Sequence, residues 1–317
     1  MSTLLSQSTS ALCYKVHASI YKLITLLNFI FYPLFQTKYT FVLIAILAGN
    51  NVYAQRYSES PTPLKRLVVL SPHAVEILYT INMGHRIVAT VDFADFPEQA
   101  RSIPRIGNSD LIDYEKLLIA RPDAVLLSKN MINDAIINKI TQLNIEVIDT
   151  SVDTLSDIPL RMRQLGDITG NQTFANQQAK QFESQLLMLI SKYSHKPKIS
   201  VFYTMWHNPL VTSSSPWFNE ILSICSATNV FEQSFSPYPQ VTAEQVIARA
   251  PQLILYPEQF GASQIAIDEW QQWPELPAVR SDNIKKLTSD YINRTGPRVI
   301  SGITEICEHT ELIREQF

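Results

Sequence analysis

The sequence predicts an α/β protein of two similar lobes, each built on a mostly parallel sheet and joined by one long α-helix. Short apolar runs alternate with helical patterns along most of the chain, which implies parallel strands covered by helices. A stretch free of strand signal interrupts that alternation in mid-chain. On either side of it two phrases recur in the same order: "SPHAVEIL" and "SPWFNEIL", then "YEKLLIARPDAVLL" and "AEQVIARAPQLILY". In the second pair Glu115 and Glu244 stand at the same distance ahead of Pro122 and Pro251.

The elements follow in order. "RLVVL" (66–70) is a buried strand by its length and flanks, and Ser71-Pro72 opens a helix that carries Val75, Leu78 and Tyr79 on one face and runs towards Gly84. "RIVATV" (86–91) is the next strand. "DYEKLLIAR" is a helix stopped before Pro122, and "AVLL" the strand after it. A helix with Ile132, Ile136, Ile140 and Leu143 on one face leads to the strand "IEVIDT". Ala175, Ala179, Phe182, Leu186, Leu189 and Tyr193 then fall at steps of four and three, an amphipathic helix of about 20 residues and roughly 30 Å. Beyond Pro197 the pattern restarts with "KISVFYT" (198–204) and the helix opened by Ser215-Pro216. The expected division is an export segment (1–54), a polar linker (55–65), a first lobe (66–153), a connecting helix (154–196) and a second lobe (197–317).

The export segment rests on "TKYTFVLIAILAGNNVYAQ": Lys38, an apolar run from Phe41 to Ala48, and a small-x-small site that places cleavage after Ala54. A further apolar run at 20–35 lies upstream, so either the start lies too early or a longer anchor is kept. With Cys13 in that segment, Cys225 and Cys307 remain. In an oxidising compartment they form either one disulfide or two buried thiols. A bond would close a loop of about 80 residues, worth roughly 4 kcal/mol by the chain-entropy argument.

Composition narrows the function. A net charge of -3 with no basic cluster leaves no footprint for nucleic acid. There is no G-x-S-x-G, H-E-x-x-H, Walker loop or G-x-G-x-x-G, and the 8 glycines are few for a phosphate cradle. The expectation is a binding protein and not an enzyme.

"YPQVTAEQVIARAPQLIL", "LTSDYINRTGPRVISGITEIC" and "NPLVTSSSPWFNEILSICSATNVF" resemble the periplasmic cobalamin-binding proteins of vitamin B12 ABC importers. More broadly they resemble substrate-binding proteins with a rigid helical backbone. The resemblance spans roughly 65–312, and "LSPHAVEIL", "DFADFPEQA" and "LIARPDAV" carry it in the first half. It implies a largely pre-formed ligand cleft between the lobes, cobalamin as the transported ligand with no resident cofactor, and an exported, periplasmic monomer. The implied partner is the permease dimer of an importer at the inner membrane.

The resemblance also implies site residues. Phe93 stands where the family places an aromatic residue against the corrinoid, and Tyr238 where it has Trp. Asp290, Tyr291, Ile292, Asn293 and Arg294 form the ligand-touching loop of the other lobe. Glu115 and Glu244, one per lobe, would dock on permease arginines; solvated first-turn glutamates are the plain alternative. Cys225 and Cys307 fall where the family has a disulfide.

The chain departs from the family in the cleft. Ser109 and Ser128 stand where the family has Trp, while Trp206 and His207 follow the "VFYT" strand and His73 follows Ser71-Pro72. Trp206 is a candidate cleft aromatic. With His73 and His207 at corresponding strand ends, one per lobe, both are expected to face the cleft as candidate axial ligands, although each also reads as an ordinary helix-start or loop residue. A haem or ferric-chelate (siderophore) binder of the same fold is therefore the alternative.

Overall fold

The structure is a computed structural model that describes residues 62–316, except Ser109 and 259–268. The cleavage site after Ala54, the apolar run at 20–35, Cys13, most of the linker and Ser109 lie outside the described residues. Among those described, no helix is long and apolar enough to cross a membrane.

Two four-stranded parallel sheets form the body. The first holds β1 (Leu67–Val69), β2 (Ile87–Thr90), β3 (Ala124–Leu127) and β4 (Glu146–Asp149) in the order β2-β1-β3-β4. The second holds β5 (Ile199–Tyr203), β8 (Ala227–Asn229), β9 (Leu253–Pro257) and β10 (Ile284–Leu287) in the order β10-β9-β5-β8. Taken in chain order within each lobe, first strand to fourth, both sheets run second-first-third-fourth. The repeated phrases thus sit on repeated topology. A small hairpin, β6 (Trp206–His207) and β7 (Leu210–Val211), follows β5.

The helices repeat as well. α1 (Pro72–Thr80) and α6 (Pro216–Ile224) start at the two Ser-Pro pairs, and α2 (Tyr114–Ala120) and α7 (Ala243–Arg249) precede the third strand of each lobe. Asp113 and Thr242 cap α2 and α7 by accepting from Lys116 and Gln245 N–H. Both helices end in a left-handed residue just before a proline, Arg121 (φ 45°) and Ala250 (φ 46°). Asn144 and Asp282, also left-handed at φ 57° and 54°, stand two residues ahead of β4 and β10. α3 (Asp134–Gln142) covers the first sheet, and α8 (Pro277–Arg280), α9 (Ser289–Ile292) and α10 (Val299–Arg314) complete the second lobe.

The expected long helix is present, but one helix does not fill the whole connector. It contains two helices, α4 (Asp157–Thr169) and α5 (Gln172–Tyr193), packed along each other. The break is local: Gly170 takes φ 74°, a conformation that closes a helix C-terminus and that glycine adopts at little cost. α1 packs on α4, while α6 and α10 pack on α5.

Alternation along the strands sorts the core. Leu67 and Val69 of β1, Ala124 and Leu126 of β3, Val201 and Tyr203 of β5, and Leu253 and Leu255 of β9 belong to one continuous cluster that also takes in Met162, Ala179, Phe182 and Ile303. Val68, Val125 and Leu127 face a separate cluster under α3, and Phe202 and Ile254 face another with Val246 and Trp270. The inner faces of both sheets therefore share one core with the connector, and residues from Pro63 onward form a single compact unit. The Cys225–Cys307 disulfide ties the end of α6 to α10, with S–S 2.00 Å.

Candidate ligand-binding cleft

A cavity of about 580 Å³ opens at the carboxyl ends of the strands, where α/β sheets present their loops to ligands. The first lobe contributes the start of α1 (Pro72, His73), the segment after β3 (Ser128, Asn130, Met131) and Val152-Asp153 after β4. The second contributes Met205 after β5, Ser215 to Phe218 at the start of α6, Tyr238, and Ile292 to Thr295 after α9. Both Ser-Pro pairs thus end at the cleft.

The walls are held by hydrogen bonds. Trp217 Nε1 donates to the Ile292 carbonyl at 2.8 Å, fixing the indole against the loop. Tyr203 lies behind it, its hydroxyl donating to Asn293 Oδ1 at 3.4 Å. Burial drives the Tyr203 phenol up to about 12, the Asn293 bond opposing. Asn130 Nδ2 donates to Asp153 Oδ1 at 2.6 Å, and Ser128 Oγ donates to Ser151 Oγ at 3.3 Å.

Below the cleft the lobes are joined by charge. Glu76 of α1, with 2% of its side chain exposed, receives Nε and Nη2 of Arg298 at 3.0 and 2.6 Å. Arg294 Nη1 lies 3.8 Å from the same carboxylate and donates to Asp95 Oδ1 at 2.7 Å, while its Nε is 3.4 Å from Asp290. Burial raises the Asp95 pKa, but the Arg294 hydrogen bond and charge outweigh it and hold the carboxyl below its usual range. Gly296 rests on this base: a Cβ there would sit 3.0 Å from Glu76 Oε2 and 3.7 Å from His73 Cβ.

The residues singled out from sequence fall into three groups. Tyr238, Ile292, Asn293 and Arg294 line the cavity, as do His73 and Ser128. Phe93, Trp206, Asp290 and Tyr291 do not line it. Asp290 touches Arg294, the Tyr291 ring lies 5.6 Å from the Arg298 guanidinium, Trp206 follows the lining Met205, and Phe93 precedes Asp95 by two residues. Phe93 and Trp206 are 77% and 63% exposed, so core packing does not explain them. Phe93 also takes φ 64°, a left-handed backbone that costs a bulky residue on the order of 1 kcal/mol. Glu115 and Glu244 are exposed in the first turns of α2 and α7.

The expectation that both imidazoles face the cleft is corrected. His207 belongs to the β6–β7 hairpin and lines a separate recess of about 360 Å³ with Trp270 and Trp273, its Nδ1 3.4 Å from Glu269. His73 does border the cleft, but its Nε2 donates to the Thr150 carbonyl at 2.8 Å. Burial pushes the His73 pKa down against the opposing Thr150 hydrogen bond, and that nitrogen is committed. Among the described residues His73 is the one imidazole lining the cleft. Among the described residues no group of three or more His, Cys, Asp or Glu is placed to hold a metal ion.

Glu76 and Arg298 were not singled out from sequence. The available signal was the Glu shared by both Ser-Pro phrases: its second copy, Glu220, accepts from Leu155 N–H at 3.0 Å, so both copies reach beyond their own helix into distant chain.

Two parallel-sheet lobes on one core, with a cleft at their strand ends, define a ligand-binding protein of the two-lobe type. The pattern of the periplasmic binding protein family matches residues 67–291, and the chain belongs to that family. It is 31% identical over 256 residues to a vitamin B12-binding protein of Vibrio parahaemolyticus, covering 80% of this chain and 92% of that one. The crystal structure of the periplasmic vitamin B12 binding protein BtuF of Vibrio cholerae superposes with a TM-score of 0.73 at 30% identity, covering 80% of this chain and 99% of that one. The periplasmic heme binding protein HutB of Vibrio cholerae, 19% identical with a TM-score of 0.67 over 77% of this chain and 97% of its own, shares the fold.

Proposed function

We propose that this protein is exported to the periplasm, captures cobalamin in the cleft and delivers it to an ABC importer in the inner membrane, performing no chemistry itself. The observation that carries this reading is the likeness to vitamin B12-binding relatives across nearly their whole length, at 30–31% identity. The cleft agrees in kind. Beside Arg294, Asp153 and His73, its polar groups are hydroxyls and amides (Ser128, Ser213, Ser215, Asn130, Asn293 among them), suited to amide arms. A cavity of about 580 Å³ would seat part of a corrinoid, leaving the remainder for the exposed aromatic faces of Phe93, Trp206 and Tyr238.

In this reading Arg294 and Asp290 orient the ligand from one side, and Glu115 and Glu244 meet permease arginines from matching positions of the two lobes. The matching strand orders support that role, since two like surfaces suit a two-fold partner. The protein acts as a monomer.

The test is calorimetric titration with cyanocobalamin and, separately, haemin. Saturable binding of cyanocobalamin at micromolar concentration or below is expected. Heat from haemin alone would replace this reading with the haem alternative. Intact mass of the exported product should correspond to a chain beginning at Gln55.

A further inference from the structure

The charge around the cleft bears on which ligands it accepts, an argument that rests on reading the cleft as a corrinoid site. Arg294 is the one guanidinium lining the cavity among the described residues, and Asp153 the one carboxylate. Arg294 is already engaged, with Asp95 at 2.7 Å, Asp290 at 3.4 Å and Glu76 at 3.8 Å. Arg298, behind it, is taken by both oxygens of Glu76. Asp153 accepts from Asn130 and makes no salt bridge among the described residues. Arg294 and Arg298 are therefore held by three carboxylates, Glu76, Asp95 and Asp290, and Asp153 on the wall makes no ion pair among the described residues. His73 is buried, and its Nε2 is committed to the Thr150 carbonyl.

A ligand carboxylate entering this cleft would meet Asp153 on the wall and find the one lining guanidinium, Arg294, already engaged. Specificity built on repulsion discriminates between ligands of nearly the same shape, which contact area alone does poorly. We infer that the cleft selects against negative charge, taking uncharged or cationic macrocycles with amide arms and rejecting carboxylate-bearing ones, with Asp153 as a specificity-determining residue.

The experiment compares three kinds of probe: cyanocobalamin, the monocarboxylic acids made by hydrolysing one of its side-chain amides, and the methyl esters of those acids. Acid and ester alter the same arm, but only the acid is charged. At low salt the most affected acid is expected to bind at least roughly tenfold more weakly than its ester, the size of one like-charge contact in a partly wet site. The gap should shrink at high salt and narrow to a few-fold in Asp153→Asn. Acids that all bind within about twofold of their esters would overturn the inference while leaving the corrinoid reading intact. A gap unmoved by salt and by Asp153→Asn would do the same, because it would report shape. If none of the three probes binds, the corrinoid reading itself falls.

Discussion

Glu76 of the first lobe and Arg298 of the second bind each other through two hydrogen bonds, 3.0 and 2.6 Å, beneath the cleft. The guanidinium also lies 3.9 Å from the Phe96 ring centroid, so one side chain joins the lobes by charge and by stacking. Arg294, which lines the cavity, shares the same carboxylate. The seam between the lobes and one wall of the cleft are therefore held by one buried acid.

Removing that acid should be costly. Glu76→Gln leaves Arg298 partly buried without its ion partner, and loss of about 3 kcal/mol of stability is expected in urea unfolding. The double variant Glu76→Gln/Arg298→Met should lose less than the two single variants added together, because the partners are removed as a unit. Additive losses would mean that the two residues act independently.

Phe93 separates binding from folding. Asn tolerates a left-handed backbone better than Phe, and the ring at this position is exposed. Phe93→Asn should therefore keep or slightly raise the melting temperature while weakening cyanocobalamin binding roughly 5- to 30-fold. A variant that melts lower and binds as before would show that the ring serves the fold.

His73 makes the fold sensitive to acid. Its folded pKa lies below the ordinary 6.5 of the unfolded chain, so the unfolded state binds the proton more readily. The stability this affords is fully present above about pH 6.5 and is lost as pH falls through that value towards the folded pKa. His73→Gln should flatten the decline in unfolding free energy between pH 7 and pH 5. An unchanged slope would assign the acid sensitivity to other groups.

Glu115 and Glu244 provide the test of docking. Reversing both to Lys should abolish cobalamin-dependent growth or uptake while leaving affinity for cyanocobalamin within about twofold, since both lie outside the cleft. Reduced affinity would place them in ligand binding instead.

Much of the fold was legible because its signals are local. The strands "AVLL" and "KISVFY" announce themselves by length and apolarity, and the duplicated phrases locate the matching helix starts. The hairpin of Trp206 to Val211 was not legible, because two-residue strands carry no periodicity. Nor was the division of the connector read out, because Leu155 to Tyr193 lacks any strand signal, although Gly170-Asn171 marks the place where a left-handed Gly170 makes the break. In the cleft, residues on one contiguous loop, Ile292 to Arg294, were found as a group. The Glu76–Arg298 pair was not, because its members lie 222 residues apart and neither has a local pattern that names the other.

Gly296 sits with no side chain between the two halves, a Cβ's width from Glu76 and His73. A methyl group placed there would meet Glu76 Oε2 at 3.0 Å, so the buried carboxylate would have to give by a few tenths of an ångström. The acid that pins the two lobes together is thus within reach of one hydrogen-to-methyl exchange.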